Sequence, residues 1–131
     1  MKINIANRSA IEVPVSAKGE DWLETIAPNQ SRSIDRPGDV WIVGAKQGIV
    51  ENIKDSLGVL ARFITQREQE GRVSLELVVN NEGKSAVRMI PGNVSNESEL
   101  PPGTSTTVSA LDYVELRELG NAPQMAGTEA P

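Results

Sequence analysis

The residues best suited to acid–base chemistry are three carboxylates that lie close together in the chain, Glu20, Asp21 and Glu24. Paired carboxylates can transfer protons or hold a hard cation such as Ca²⁺. A Ca²⁺ ion takes about six to eight oxygen ligands, which is more than this short stretch offers. The spacing therefore favours solvated loop charges over a catalytic or metal site.

The chain of 131 residues contains no histidine and no cysteine. Histidine is the commonest general acid or base near neutral pH, and the two residue types supply most zinc ligands. Their absence excludes Ser-His-Asp and cysteine-nucleophile catalysis, disulfides and zinc sites. We predict that the protein is not an enzyme and has no catalytic residue, cofactor or metal. A carboxylate-dependent hydrolase is the weakest alternative.

Phosphate recognition finds little support in the sequence. The glycines of 44–48 resemble a phosphate loop, but the G-x-x-x-x-G-K-[ST] pattern is missing. Arg62, Arg67 and Arg72 alternate with glutamates, which is typical of a solvated, mixed-charge surface. Because the net charge is −5 and aromatic residues are only 3% of the chain, we predict no nucleic-acid partner.

The N-terminal residues MKINIANRSA lack the apolar core of a signal peptide. No run approaches the roughly 18 apolar residues that a membrane span needs. We therefore expect no secretion signal and no membrane partner, and a location in the cytoplasm or in a virion.

Two stretches 74 positions apart share one pattern of turn residues, IAPNQSRSI at 26–34 and LPPGTSTTV at 100–108. Shifting the chain by 74 without gaps places apolar residues over apolar residues for about 45 positions, which indicates an internal repeat. Pro28 with Asn29, and Pro102 with Gly103, predict tight turns with a positive φ at the second residue. We interpret the two stretches as hairpins.

Alternating apolar residues predict short strands at about 2–7, 10–17, 22–27, 30–36 and 39–44 in the first copy. The predicted fold is mainly β and sandwich-like, with two homologous antiparallel β half-units joined by one central α-helix. The predicted parts are β repeat 1 at 1–46, the connecting helix at 47–73, β repeat 2 at 74–120 and a flexible C-terminal arm at 121–131.

Apolar residues at helical spacing favour the connecting helix: Ile49, Ile53, Leu57, Leu60 and Ile64. A second interpretation stays open, because Val59, Ala61, Phe63 and Thr65 alternate. In that case a short helix ends near Ser56, and a strand at 58–66 pairs with 72–80.

The five interface candidates are residues for which the repeat or the local pattern suggests contact with a partner: Trp22, Trp41, Val43, Pro14 and Met125. The shift by 74 places Trp41 over Glu115 and Val43 over Arg117, so the first copy of that strand is apolar on both faces. Three interpretations stay open: the helix covers the extra apolar face, a protein partner covers it, or it lines a small-molecule pocket. Pro14 cannot donate to a ladder and suggests an open edge.

These features favour a structural or interaction protein with protein partners, acting as a homo-oligomer or within a capsid-like assembly. The sharpest hypothesis is a viral (phage) capsid decoration or cement protein that uses a β-edge, a Trp-bearing face and the C-terminal arm. The alternative is a soluble binding or inhibitor module, such as a phage anti-defence or regulatory protein, that sequesters one partner.

Overall fold

A computed structural model describes residues 1–45, 73–92 and 97–120. These residues form ten β-strands, and no helix occurs within them. The first half contains β1 (Lys2–Asn7), β2 (Val13–Ala17), β3 (Leu23–Ile26), β4 (Ser31–Asp35) and β5 (Val40–Gly44). The second half contains β6 (Ser74–Asn81), β7 (Val87–Pro91), β8 (Ser98–Leu100), β9 (Ser105–Leu111) and β10 (Tyr113–Glu118).

The strands form two antiparallel sheets around one apolar core. The four-stranded sheet has the order β4-β1-β6-β9, and the six-stranded sheet has the order β3-β2-β5-β10-β7-β8. Both sheets contribute to one cluster of buried side chains, for example Ile5 and Leu77 from the first and Trp41 and Leu116 from the second. The predicted mainly-β, sandwich-like class with antiparallel strands is confirmed.

The strand order of each sheet is unchanged when the two halves are exchanged. Replacing β1–β5 by β6–β10, and the reverse, turns each order into the same order read backwards. At the centre of the four-stranded sheet, Ile5 pairs with Val79, the residue 74 positions later. The two halves are therefore related by an approximate two-fold axis that passes through this pair and between β5 and β10.

Alternation of side chains explains why these segments become strands. In β1, Ile3 and Ile5 are fully buried, while their neighbours point away from the core. In β6, Leu75, Leu77 and Val79 repeat that pattern. A period of two places every second side chain on one face, so each strand buries one apolar row against the opposite sheet.

The two predicted turns have the predicted backbone but join different strands from those expected. Asn29 and Gly103 have φ of 64° and 79°. Gln30 N donates to Ala27 O, and Thr104 N donates to Pro101 O, which closes each turn. The hairpin prediction is wrong, because β3 and β4, like β8 and β9, lie in different sheets. Each turn is a corner that carries the chain from one sheet to the other.

The ungapped comparison of the two halves fails at β5 and β10. Ile34 and Trp41 are both buried and lie seven positions apart, whereas Val108 and Val114 are both buried and lie six positions apart. The connection is thus one residue shorter in the second half. A slip of one residue exchanges the two faces of a strand, so the predicted matches of Trp41 with Glu115 and of Val43 with Arg117 are wrong. Trp41 and Val43 correspond instead to Val114 and Leu116, which are also buried. Across the ladder between β5 and β10, Trp41 pairs with Leu116 and Val43 with Val114.

The predicted helix at 47–73 lies outside the described residues except for Val73, which is buried and precedes β6. The alternative strand at 58–66 and the C-terminal arm at 121–131 also lie outside them. The predicted β repeats at 1–46 and 74–120 contain β1–β5 and β6–β10.

Candidate protein interface

The three carboxylates with potential for chemistry do not form a common site. Glu20 and Asp21 precede β3, and Glu24 lies within it. The Glu24 side chain is 18% exposed and accepts hydrogen bonds from Arg32 and from Arg36 Nη2, the latter at 2.9 Å. The description of Glu24 as a solvated loop charge is therefore wrong. Because Arg32 lies in the other sheet, Glu24 connects the two sheets along one side of the sandwich.

A tryptophan pair lies beside this ion pair. Trp22 is half-buried and meets the fully buried Trp41 edge to face, with ring centroids 5.2 Å apart and an interplanar angle of 79°. The Arg36 guanidinium lies 5.9 Å from the Trp22 ring centroid. Trp41 Nε1 donates to Pro37 O, but the buried Trp22 Nε1 has no acceptor among the described residues. Trp22 therefore stays an interface candidate through the exposed part of its ring and not through Nε1, which lies below the surface.

The other interface candidates are placed differently. Trp41 and Val43 are 0% exposed, so they belong to the core and present no surface to a partner. Pro14 is buried in β2, which has β3 on one side and β5 on the other. At Pro14 itself the strand pairs with β3 only, because the pairing with β5 begins one residue later, at Val15. The strand is therefore not a sheet edge, but its β5 side is unpaired at the proline among the described residues. Met125 lies outside the described residues.

Among the described residues, four strands lie at the edges of the two sheets, and three of them carry features that discourage pairing with another chain. Short length, charged side chains and proline all protect sheet edges. β3 has four residues and carries Glu24, β8 has three residues and carries Glu99, and β4 carries Arg32 and Asp35. β9 is different, because its seven residues, STTVSAL, include no charge and no proline.

Alternate residues of β9 direct their backbone groups away from the sheet. Asp112 N donates to Val73 O, and Asn81 N donates to Thr104 O, so even-numbered residues face β6. In an antiparallel ladder the direction alternates, which turns the N–H and C=O groups of Ser105, Thr107 and Ser109 to the open side. Leu111 N confirms this direction, because it donates to the carbonyl oxygen of Gly92, the residue that follows β7 of the other sheet. Within the described residues, β9 pairs with β6 alone.

The side chains along this edge are small. Ser105, Thr107 and Ser109 are exposed on the outer face, and Ser109 Oγ donates to Glu76 Oε1 at 2.8 Å. Val108 and Ala110 point into the core. A further strand could therefore approach β9 without displacing a bulky or charged group. The alternating, uncharged run STTVSA carries this signal in the sequence, but the edge position depends on pairings made by distant residues.

The remaining candidate chemistry adds no site. No group of three or more acidic residues in 1–45, 73–92 and 97–120 could hold a metal ion. Of the segment 44–48, only Gly44 and Ala45 are described, and Arg62, Arg67 and Arg72 lie outside the described residues. Across the part of the chain that the structure describes, no helix has the length and apolar character that a membrane crossing requires.

Comparison of the chain with known protein families, with curated proteins and with solved structures finds no match. The open edge of β9 and the half-buried Trp22 are thus the features on which a functional proposal can rest.

Proposed function

We propose that the protein is a non-enzymatic structural component that binds to a repetitive protein assembly, in the manner of a viral capsid decoration or cement protein. The observation that carries this proposal is the open, uncharged edge of β9. A free strand edge binds an extended partner segment through backbone hydrogen bonds, with little demand on the partner's side chains. That mode of binding suits a protein that must attach many times to the same kind of subunit.

The rigid frame of the sandwich supports the same role. β9 is held by seven residue pairs with β6, and the buried row of Leu75, Leu77 and Val79 fixes β6 to the core. Binding at a preformed strand costs little conformational entropy on the side of this protein. We place the protein in the virion or in the cytoplasm of the host cell, with protein partners and no nucleic acid.

We also infer that the two halves are homologous and arose by duplication of one five-strand unit. The support is the exchangeable strand order together with the matched corners at Asn29 and Gly103. In this history the unit lost one residue before β10 or gained one before β5, which accounts for the slip at Trp41. The two copies then diverged at their edges, because the counterpart of uncharged β9 is the charged strand β4.

The test is sedimentation of the tagged chain, expressed in its native source, through a density gradient. A decoration protein is expected in a particle of megadalton size, at a fixed ratio to one major subunit. Thr107→Pro removes an outward N–H from β9 and should release the chain from the particle. Ser33→Pro, at the corresponding position of β4, is the matched control and should leave the chain bound. A wild-type chain that stays at low mass contradicts the proposal.

The second candidate function is a soluble module that sequesters one partner, and Trp22 is the observation that favours it. Its part-exposed ring and the half-exposed Arg36 beside it would fit an apolar or acidic group on one specific protein. In the gradient this module would form a small complex of fixed composition, lost in Trp22→Ala and kept in Thr107→Pro. Neither function requires Asp21 or Glu24 as an acid or base, so Asp21→Asn and Glu24→Gln should bind normally in both cases.

A further inference from the structure

We propose that the partner of the β9 edge is β9 of a second copy of this chain, so that two four-stranded sheets join into one continuous sheet of a symmetric dimer. This inference rests on the proposed function and narrows it: the β9 edge joins two copies into a dimer and the assembly binds that dimer, so a chain that cannot dimerise also leaves the particle. Closed two-fold dimers are the commonest oligomers of soluble proteins, and their interface must be complementary to itself.

The sequence of β9 is complementary to itself, as an interface on a two-fold axis requires. When two copies of β9 run antiparallel and are centred on Thr107, Ser105 of each copy lies opposite Ser109 of the other, and Thr107 lies opposite Thr107. These are the residues whose backbone groups point to the open side, so the pairing forms about six hydrogen bonds between the copies. No like charges are brought together, because β9 carries no charged side chain.

The other edge strands are not complementary to themselves in this way. β4, the counterpart of β9 in the first half, would place Arg32 and Asp35 at its self-pairing interface, and its Arg32 is already bound to Glu24. β3 and β8 are only four and three residues long. The chain also contains a precedent for the geometry, because β1 and β6 are counterparts that pair antiparallel at the centre of the same sheet.

The test is analytical ultracentrifugation of the full-length chain over a wide range of concentration, combined with amide hydrogen exchange. We expect a reversible dimer, and the amides of Ser105, Thr107 and Ser109 should gain protection as the dimer forms. Thr107→Pro should weaken dimerisation at least about tenfold in Kd, because it removes an N–H donor in both copies. Ser33→Pro should leave the dimer unchanged, and Thr107→Ser should leave it within a factor of about two.

Three outcomes would overturn the inference: a chain that stays monomeric at every concentration, a dimer that is insensitive to Thr107→Pro, and a monomer in which these three amides are already protected. The last result would mean that another segment of the same chain occupies the edge. A folding control separates these outcomes from misfolding, because Thr107→Pro should keep the wild-type circular dichroism. Thr106→Pro removes an N–H that donates to β6, so this variant should lose the wild-type circular dichroism.

The dimer and the decoration role can fail separately. A dimer that never enters a particle leaves the self-pairing of β9 intact and defeats the decoration role. A monomer that enters a particle through β9 supports the role and defeats the self-pairing.

Discussion

Asn7 and Asn81 make the same hydrogen bonds in the two halves of the fold. Asn7 Nδ2 donates to Ile11 O and to Ile26 O, each at 2.8 Å. Asn81 Nδ2 donates to Ser85 O at 2.8 Å and to Leu100 O at 2.9 Å. Each Oδ1 accepts from the backbone N–H two residues later, that of Ser9 or Gly83. One buried amide in each half thus joins the end of a central strand to the following loop and to the strand before the corner.

We expect Asn7→Ala and Asn81→Ala to lower the free energy of unfolding by similar amounts, about 3 kcal/mol each. Each change removes three hydrogen bonds and leaves buried backbone groups without partners. Urea unfolding followed by circular dichroism measures the effect. Asn4→Ala is the control, because its amide makes an exposed bond to Ser33 Oγ and should cost less than about 0.5 kcal/mol. Costs that differ by more than about 2 kcal/mol between Asn7 and Asn81 would mean that the two networks are not equivalent.

Gly44→Ala should destabilise the protein much more than Gly19→Ala. Both glycines have positive φ, 93° and 84°, so alanine introduces a similar backbone strain at either position. A Cβ at Gly44 would lie 2.3 Å from the carbonyl oxygen of Asp112, whereas a Cβ at Gly19 would meet nothing within 4 Å. We expect the difference in unfolding free energy to reach about 2 kcal/mol or more, since a backbone atom cannot move aside cheaply. Equal losses measured by thermal or urea unfolding would show that β5 and the Asp112 turn can separate.

The strands and turns were predictable from the sequence, but the pairing of strands was not. The alternation in β1 and the Pro-Asn and Pro-Gly steps are local signals, and the structure places a strand and positive-φ residues there. Whether a turn closes a hairpin or carries the chain to another sheet depends on which strands lie beside it. For β3 that neighbour is β2, and for β4 it is β1, so the expected hairpin at 26–34 does not form.

The site was less predictable than the fold for the same reason. Trp41 was expected at a surface that needs a cover, because an ungapped comparison set it against Glu115. A connection that is one residue longer returns Trp41 to the core, opposite Leu116. The edge position of β9 follows from its pairing with β6, which is separated from it in the chain by β7 and β8. Neither the core position of Trp41 nor the edge position of β9 can be predicted from a local sequence pattern.

Trp41→Ala should cost about 3–5 kcal/mol of unfolding free energy, because it removes a large, fully buried side chain. Trp22→Ala should cost less, about 1–2 kcal/mol, because Trp22 is only half-buried. Tryptophan fluorescence during urea unfolding distinguishes the two, since each variant retains one reporter. A Trp41→Ala protein that keeps its stability but loses assembly would place Trp41 at an interface instead of in the core.

Glu24→Gln should lower the unfolding free energy by less than about 1 kcal/mol in dilute salt, even though Glu24 contacts two arginines. Arg32 and Arg36 are nearly half exposed, at 49% and 48%, so water screens both pairs. The difference between wild type and variant should shrink as NaCl rises to about 1 M, where the Debye length is only about 3 Å. Glu99→Gln is the control, because its 3.4 Å pair with Arg88 is exposed on both sides, and we expect no measurable change. A loss above about 2 kcal/mol that persists in high salt would mean that Glu24 holds the two sheets together by more than charge.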